Sequence, residues 1–157
     1  VAEITHKALV KRASLWLRNS QSYTVVLSEL STNAGEVPDV IGFRSCDGNS
    51  LLIECKASRA DFLSDKKKYF RQNPYMGMGS LRYMFAIRGL IKPEELPEGW
   101  GLLEGTANRI YVVKKSEVFG EVSKRNEVIM LTSVLRRLEI STAVFVRHDN
   151  SLNSEVS

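Results

Sequence analysis

The tightest constraint in this sequence is a short apolar run that ends in charge. Leu51-Leu52-Ile53 leads directly into Glu54-Cys55-Lys56, and the turn residues Cys46-Asp47-Gly48-Asn49 precede it. A run of this length, bounded in this way, reads as a strand over Ser50 to Lys56 that is covered on both faces. A charged group in such a place is costly unless something answers it. Strand side chains alternate, so Glu54 and Lys56 share one face and Cys55 takes the other. The fold must therefore accommodate an acid and an ammonium at the end of a central strand.

The rest of the pattern arranges itself around that strand. Glu3 to Asn19 reads as a helix, with Leu9, Ala13, Trp16 and Leu17 at helical spacing. Tyr23 to Leu27 is β-branched and aromatic, which suits a strand ending near Glu29. Asn33-Ala34-Gly35 marks a turn. A second strand follows from Pro38 to Arg44, with its proline first, where a missing N–H does least damage. Ser58 is a good N-cap for a basic helix ending at Asn73-Pro74. Met76-Gly77-Met78-Gly79 reads as a connection with freedom to move. Arg82 to Ile87 is a fourth strand, and Lys92 to Pro97 a proline-bounded turn of helix. Trp100 to Leu103 and Arg109 to Val113 make a hairpin. Arg125 to Glu139 is a final helix with Val128, Met130, Leu131, Val134, Leu135 and Leu138 on its apolar face. The expectation is an α/β fold: a mixed sheet flanked by helices, in the order helix, three strands, helix, strand, hairpin, helix.

At 157 residues the natural division is one domain over 1–148 with a flexible polar tail at 149–157. The formal charge of +4 permits an anionic partner without demanding one. Two cysteines with no Cys-x-x-Cys spacing build neither a disulfide framework nor a structural zinc site, so a reducing, cytoplasmic setting is expected. No apolar run approaches the ~18 residues of a membrane helix, and no signal-peptide pattern opens the chain. Nucleophile-elbow, Walker and dinucleotide motifs are absent from the sequence.

The Asp47-Gly48 turn makes the second and third strands an antiparallel hairpin, so the start of one lies beside the end of the other. That brings Asp39 next to Glu54 and Lys56. Two carboxylates ~4 Å apart repel by about 4 kcal/mol at an effective dielectric of 20. Such a pair calls for a metal, a proton or a neighbouring cation. Magnesium favours hard oxygen donors of this kind. A bound divalent ion neutralises a phosphodiester and lowers the pKa of its water. The Cys55 backbone carbonyl is a possible further ligand, and Glu29 a possible third acid.

Pro38-Asp39, an intervening turn and Glu54-Cys55-Lys56 at the end of an apolar strand resemble the PD-(D/E)XK nuclease superfamily, which has a restriction-endonuclease-like fold. The resemblance runs from about Thr5 to Phe70. With Ala57-Ser58-Arg59-Ala60-Asp61-Phe62 it is most similar to the bacterial and phage branch that includes the MmcB-like DNA-repair proteins. It implies a metal-dependent endonuclease acting on DNA in repair, recombination or phage–host conflict. Asp39 and Glu54 would bind Mg²⁺, for which Mn²⁺ would substitute. Lys56 would serve the attacking water and Glu29 would assist. RNA stays open as a substrate, and a homodimer as an assembly. The superfamily also contains inactive members, so a nucleic-acid-binding module without turnover is the alternative, and a subunit of a larger assembly a third reading.

Arg59, Lys66, Lys67, Lys68 and Arg71 form a basic stretch that reads either as a phosphate-contacting surface or as a solvated helix face. Asp61 and Asp65 are expected to pair with its cations. Glu36 lies in a loop and is a weaker site candidate. His6 and His148 stand alone and are not assigned as ligands. Cys55 reads as core.

Overall fold

The computed structural model describes residues 4–138. Helix α1 (His6–Ser20) leads into strands β1 (Val25–Ser28), β2 (Val40–Phe43) and β3 (Ser50–Lys56). Helices α2 (Arg59–Asp65) and α3 (Tyr69–Gln72) cross over to β4 (Leu81–Ile87). The hairpin β5 (Gly101–Gly105) and β6 (Ile110–Lys114) follows, then α4 (Lys124–Arg137). The six strands lie in sequence order in one sheet. β1–β2, β2–β3 and β5–β6 are antiparallel, while β3–β4 and β4–β5 are parallel. The architecture is α/β, a mixed sheet flanked by helices, in the expected order of elements. The turn between Pro93 and Glu95 is a 3-10 helix. The expected tail at 149–157, His148 and Glu139 lie outside the described residues. Among the described residues, no helix is long and apolar enough to cross a membrane.

Every residue of β3 is buried, as its apolar run requires. One face of the sheet offers Val40, Leu51, Ile53, Cys55 and Phe85 to Leu9, Val10, Ala13 and Leu17 of α1. The other offers Ile41, Phe43, Leu52, Met84 and Leu102 to Phe62 of α2, Met78, Trp100 and Met130 of α4. Local chemistry fixes the starts of the helices. Thr5 Oγ1 accepts from the Ala8 amide at 3.2 Å and Ser58 Oγ accepts from Asp61 at 3.2 Å. The β2–β3 turn closes as the sequence predicts: the Gly48 amide donates to Arg44 O at 2.9 Å, and the Asp47 side chain accepts from the Asn49 amide at 2.9 Å. The antiparallel register pairs Val40 with Ile53.

Three expectations change. The single basic helix is two, because residues 66–68 leave the helical path and Lys68 is extended (ψ 141°) before α3 begins. Met76-Gly77-Met78-Gly79 is not a free connection. Met78 is fully buried, and the Gly77 and Gly79 carbonyls accept from the Arg82 guanidinium at 3.2 and 3.0 Å. On α4 only Met130 of the expected apolar face is fully buried; Val128, Leu135 and Leu138 are exposed.

Gly79 is fixed by both its backbone and its surroundings. Its φ is +89°, and a Cβ there would stand 2.7 Å from Leu52 Cβ. Gly48 has φ +67° with open space around it. Gly79→Ala should therefore lose about 2–5 kcal/mol, from left-handed backbone strain plus overpacking. Gly48→Ala should lose only about 1–2 kcal/mol, from the backbone alone. Urea unfolding of both variants measures the difference.

Candidate active site

Two groups of charge meet where β3 ends, and they are balanced very differently. The first lies on the α2–α3 side. Glu54, Lys56 and Asp65 are only 3%, 1% and 1% exposed. Lys56 Nζ donates to Asp65 Oδ1 at 2.7 Å and lies 3.5 Å from Glu54 Oε2. Lys68 Nζ reaches Glu54 Oε2 at 2.9 Å and Asp65 Oδ1 at 3.1 Å. Arg71 lies 3.1 Å from Glu54 Oε2, donates through Nε to Asp65 Oδ2 at 2.5 Å, and stacks on Trp100 at 4.3 Å from the ring centre. Three cations thus answer two carboxylates. Burial alone would raise the Asp65 carboxyl, but Arg71 and Lys56 outweigh it and hold it below its ordinary value. For Lys68 burial works downward, and Glu54 and Asp65 overcome it to raise the ammonium. All three cations approach Glu54 through Oε2; no hydrogen bond among the described residues engages Oε1.

The second group lies at the same end of the hairpin, across the register from Glu54. The ladder pairs Val40 with Ile53, so its continuation by one residue sets Asp39 opposite Glu54. Asp39 falls just outside β2 rather than within it, yet its Oδ2 accepts from the Cys55 amide at 2.7 Å. That bond ties Asp39 to the Glu54-Cys55-Lys56 step. Burial pushes the Asp39 carboxyl up to about 6, and the Glu54 charge adds to the rise. The Cys55 amide, His6 and Lys56 pull the other way. Cys55 itself is fully buried in the α1-side core, and burial pushes its thiol well up, so its side chain is core as expected.

Glu29 joins Asp39 by a route that strand alternation does not describe. It lies beyond β1 with φ +51°, and its amide donates to the carbonyls of Pro38 and Asp39 at 3.2 and 3.1 Å. His6, which nothing in the sequence connects to the site, stands with Nε2 3.4 Å from Glu29 Oε1 and 3.4 Å from Asp39 Oδ1. Ligand atoms of these three residues all lie within 4.8 Å of one another.

The structure separates the five cations of the basic stretch. Arg59 forms a two-pronged pair with Glu95, one bond at 2.8 Å, and lies over the Phe62 ring. Lys68 and Arg71 turn to the buried carboxylates. Lys66 and Lys67 are exposed and take no part in the ion pairs of the described residues. Asp65 pairs with its cations as expected, whereas Asp61 accepts from the Ala57 amide at 3.3 Å.

Glu36 matters more than its loop position suggests. It is 5% exposed and accepts from the Met78 amide at 2.7 Å. Burial pushes its carboxyl up to about 7 against the pull of that amide and of Arg71, with the Glu54 charge adding to the rise. Its sequence signal is slight: an acid three residues before Asp39.

Fold and site together define an α/β chain with a carboxylate-and-lysine centre at the end of a central buried strand. No protein-family model matches the chain, and no curated protein does. Among solved structures it is similar to the SPO1766 protein of unknown function from Silicibacter pomeroyi, with a TM-score of 0.63 and 26% sequence identity over 87% of this chain and 91% of the other.

Folded, Glu36 keeps its proton up to about pH 7; unfolded, it releases it near its ordinary 4.5. Between those values the folded state holds the extra proton, so stability falls as pH rises through the window. At about 1.4 kcal/mol per unit, this one group removes on the order of 3 kcal/mol by pH 8. Glu36→Gln should abolish that component, making the variant more stable than the parent at pH 8 relative to pH 4. Denaturant unfolding at the two pH values checks it.

Proposed function

We propose that the chain is a metal-dependent nuclease of the PD-(D/E)XK type that hydrolyses phosphodiesters in DNA. The observation that carries this reading is the bond from the Cys55 amide to Asp39 Oδ2, which ties Asp39 to the strand step between Glu54 and Lys56. The residues suit a hard divalent ion by their donor chemistry. Asp39 Oδ1 and Glu54 Oε1 are carboxylate oxygens without a backbone partner among the described residues, and Asp39 is a partly buried acid with no Lys or Arg in ion-pair contact among them. Asp39 and Glu54, with the Cys55 carbonyl, would hold Mg²⁺. The bound ion would neutralise the scissile phosphate and lower the pKa of the attacking water.

The chain's own groups do the rest by position. Lys56 Nζ, held between Asp65 and Glu54, is a fixed hydrogen-bond donor that orients the water against the phosphate. Asp65 is thereby a positioning residue. Glu29, more than half exposed, assists from the solvent side. Lys66 and Lys67 meet the DNA backbone, and Lys68 exchanges Glu54 for a phosphate oxygen. The protein acts in the cytoplasm, on one duplex strand per chain, with pairing of two chains for a double cut.

A second reading, a DNA-binding module without turnover, draws on a specific observation: Glu54 Oε2 already faces three cations. The decisive variant is Asp39→Asn, which preserves the Cys55 contact and lies outside the buried ion cluster. Replacing Glu54 or Lys56 would remove one partner of a buried pair, with a loss of about 3–5 kcal/mol that confounds activity with folding. Asp39→Asn should lower Mg²⁺-dependent cleavage of a plasmid, single-stranded and branched DNA panel by roughly a hundredfold or more, with circular dichroism unchanged. Salt-sensitive DNA binding by the parent protein without cleavage of any substrate would leave the module reading in its place.

A further inference from the structure

We infer that His6, Glu29 and Asp39 form a divalent-cation site with one nitrogen donor, selective for a first-row transition-metal ion over magnesium. The site shares Asp39 with the nuclease reading and stands without it. Donor atoms held about 2.1 Å from one ion lie roughly 3–4.2 Å from each other. His6 Nε2 is 3.4 Å from both Glu29 Oε1 and Asp39 Oδ1, so the pairs through the imidazole are already at that spacing.

Charge favours a cation here more than in the ion cluster around Asp65. Among the described residues, no lysine or arginine comes within 4.0 Å of the Glu29 or Asp39 carboxylate, and His6 is their partner in ion-pair contact. Two acids therefore share one imidazole, whereas Glu54 and Asp65 share three full cations. The Asp39–Glu29 pair therefore carries less compensating positive charge than the Glu54–Asp65 pair.

Each ligand is aimed by contacts that do not use its coordinating atom. The Cys55 amide occupies Asp39 Oδ2 and leaves Oδ1 towards His6. Glu29 is turned back over Asp39 by its amide bonds to Pro38 and Asp39. His6 occupies the first turn of a helix whose start Thr5 caps. The side chains of His6, Glu29 and Asp39 are 40%, 53% and 17% exposed, so an ion could enter from solvent and keep sites for water or substrate oxygens. Imidazole suits zinc, iron, nickel or copper, magnesium and calcium prefer oxygen alone, and manganese, a hard ion that still accepts a nitrogen donor, stands between them.

The test uses Mn²⁺ and Mg²⁺ alone as probes on the full chain, with binding read apart from activity. Calorimetry should give one Mn²⁺ per chain, bound roughly tenfold or more tighter than Mg²⁺. His6→Ala should weaken Mn²⁺ by about tenfold or more and Mg²⁺ by less than about threefold, and Glu29→Gln should weaken Mn²⁺ as well. Mn²⁺ should also broaden the His6 imidazole resonances, which the His6→Ala spectrum distinguishes from those of the chain's other histidine, His148. Absent Mn²⁺ binding, or Mn²⁺ affinity unchanged by His6→Ala, overturns the inference. Cleavage assays on the same samples keep the two ideas apart. Binding through His6 with no cleavage defeats the nuclease reading alone. Mg²⁺-driven cleavage with His6 indifferent to metal defeats the present inference alone.

Discussion

The charged end of β3 governs the structure around it. Glu54 and Lys56 are carried into a fully buried strand by the residues before them, and neither can be left unanswered there. A lone pair between the two is insufficient, because Lys56 Nζ is 3.5 Å from Glu54 but 2.7 Å from Asp65. Asp65, Lys68 and Arg71 complete the cluster, and the break between α2 and α3 is the geometry that lets them. With Lys68 extended, α3 starts on a new axis and Arg71 reaches both buried acids. Helical regularity is given up so that buried charges are paired, which is the direction the magnitudes favour: a few unmade helical bonds at about 1 kcal/mol each, against several kcal/mol for an uncompensated buried ion.

The same strand end separates two electrostatic environments only a residue apart in register. On the α2–α3 side, cations exceed acids. On the α1 side, Asp39 and Glu29 have His6. Asp39 stands at the boundary, anchored by the Cys55 amide and raised by burial and by Glu54. An arrangement that supplies fixed donors on one side and spare carboxylate oxygens on the other is suited to holding a metal and a phosphate together. That suitability underlies the proposed chemistry.

Part of this was legible in the residues themselves. The Asp47-Gly48 turn sets a hairpin register, and the register alone brings Asp39 to Glu54. Ser58 as a cap and Asp65 as a partner for cations also follow from local rules. Glu29 was legible as an acid near the site but not as a carboxylate turned towards Asp39, because its direction comes from a left-handed backbone at φ +51°. His6 had no legible role: it is 33 residues from Asp39 in sequence, and only the packing of α1 across the sheet closes that gap. Glu36 looked peripheral because its partner, the Met78 amide, belongs to a segment whose glycines suggested freedom and whose methionine is in fact core.

By itself the sequence determined the α/β class, the central strand and the meeting of Asp39 with Glu54 and Lys56, since alternation, turn chemistry and hydrophobic runs act over a few residues. The tertiary structure alone decided which charges answer which. It gave three cations to Glu54 and Asp65, drawing Lys68 and Arg71 out of the basic stretch, and left His6 to the acids on the other side. Electrostatic pairing depends on distances between atoms far apart in the chain and on how much water remains between them, and neither quantity exists until the helices have packed on the sheet.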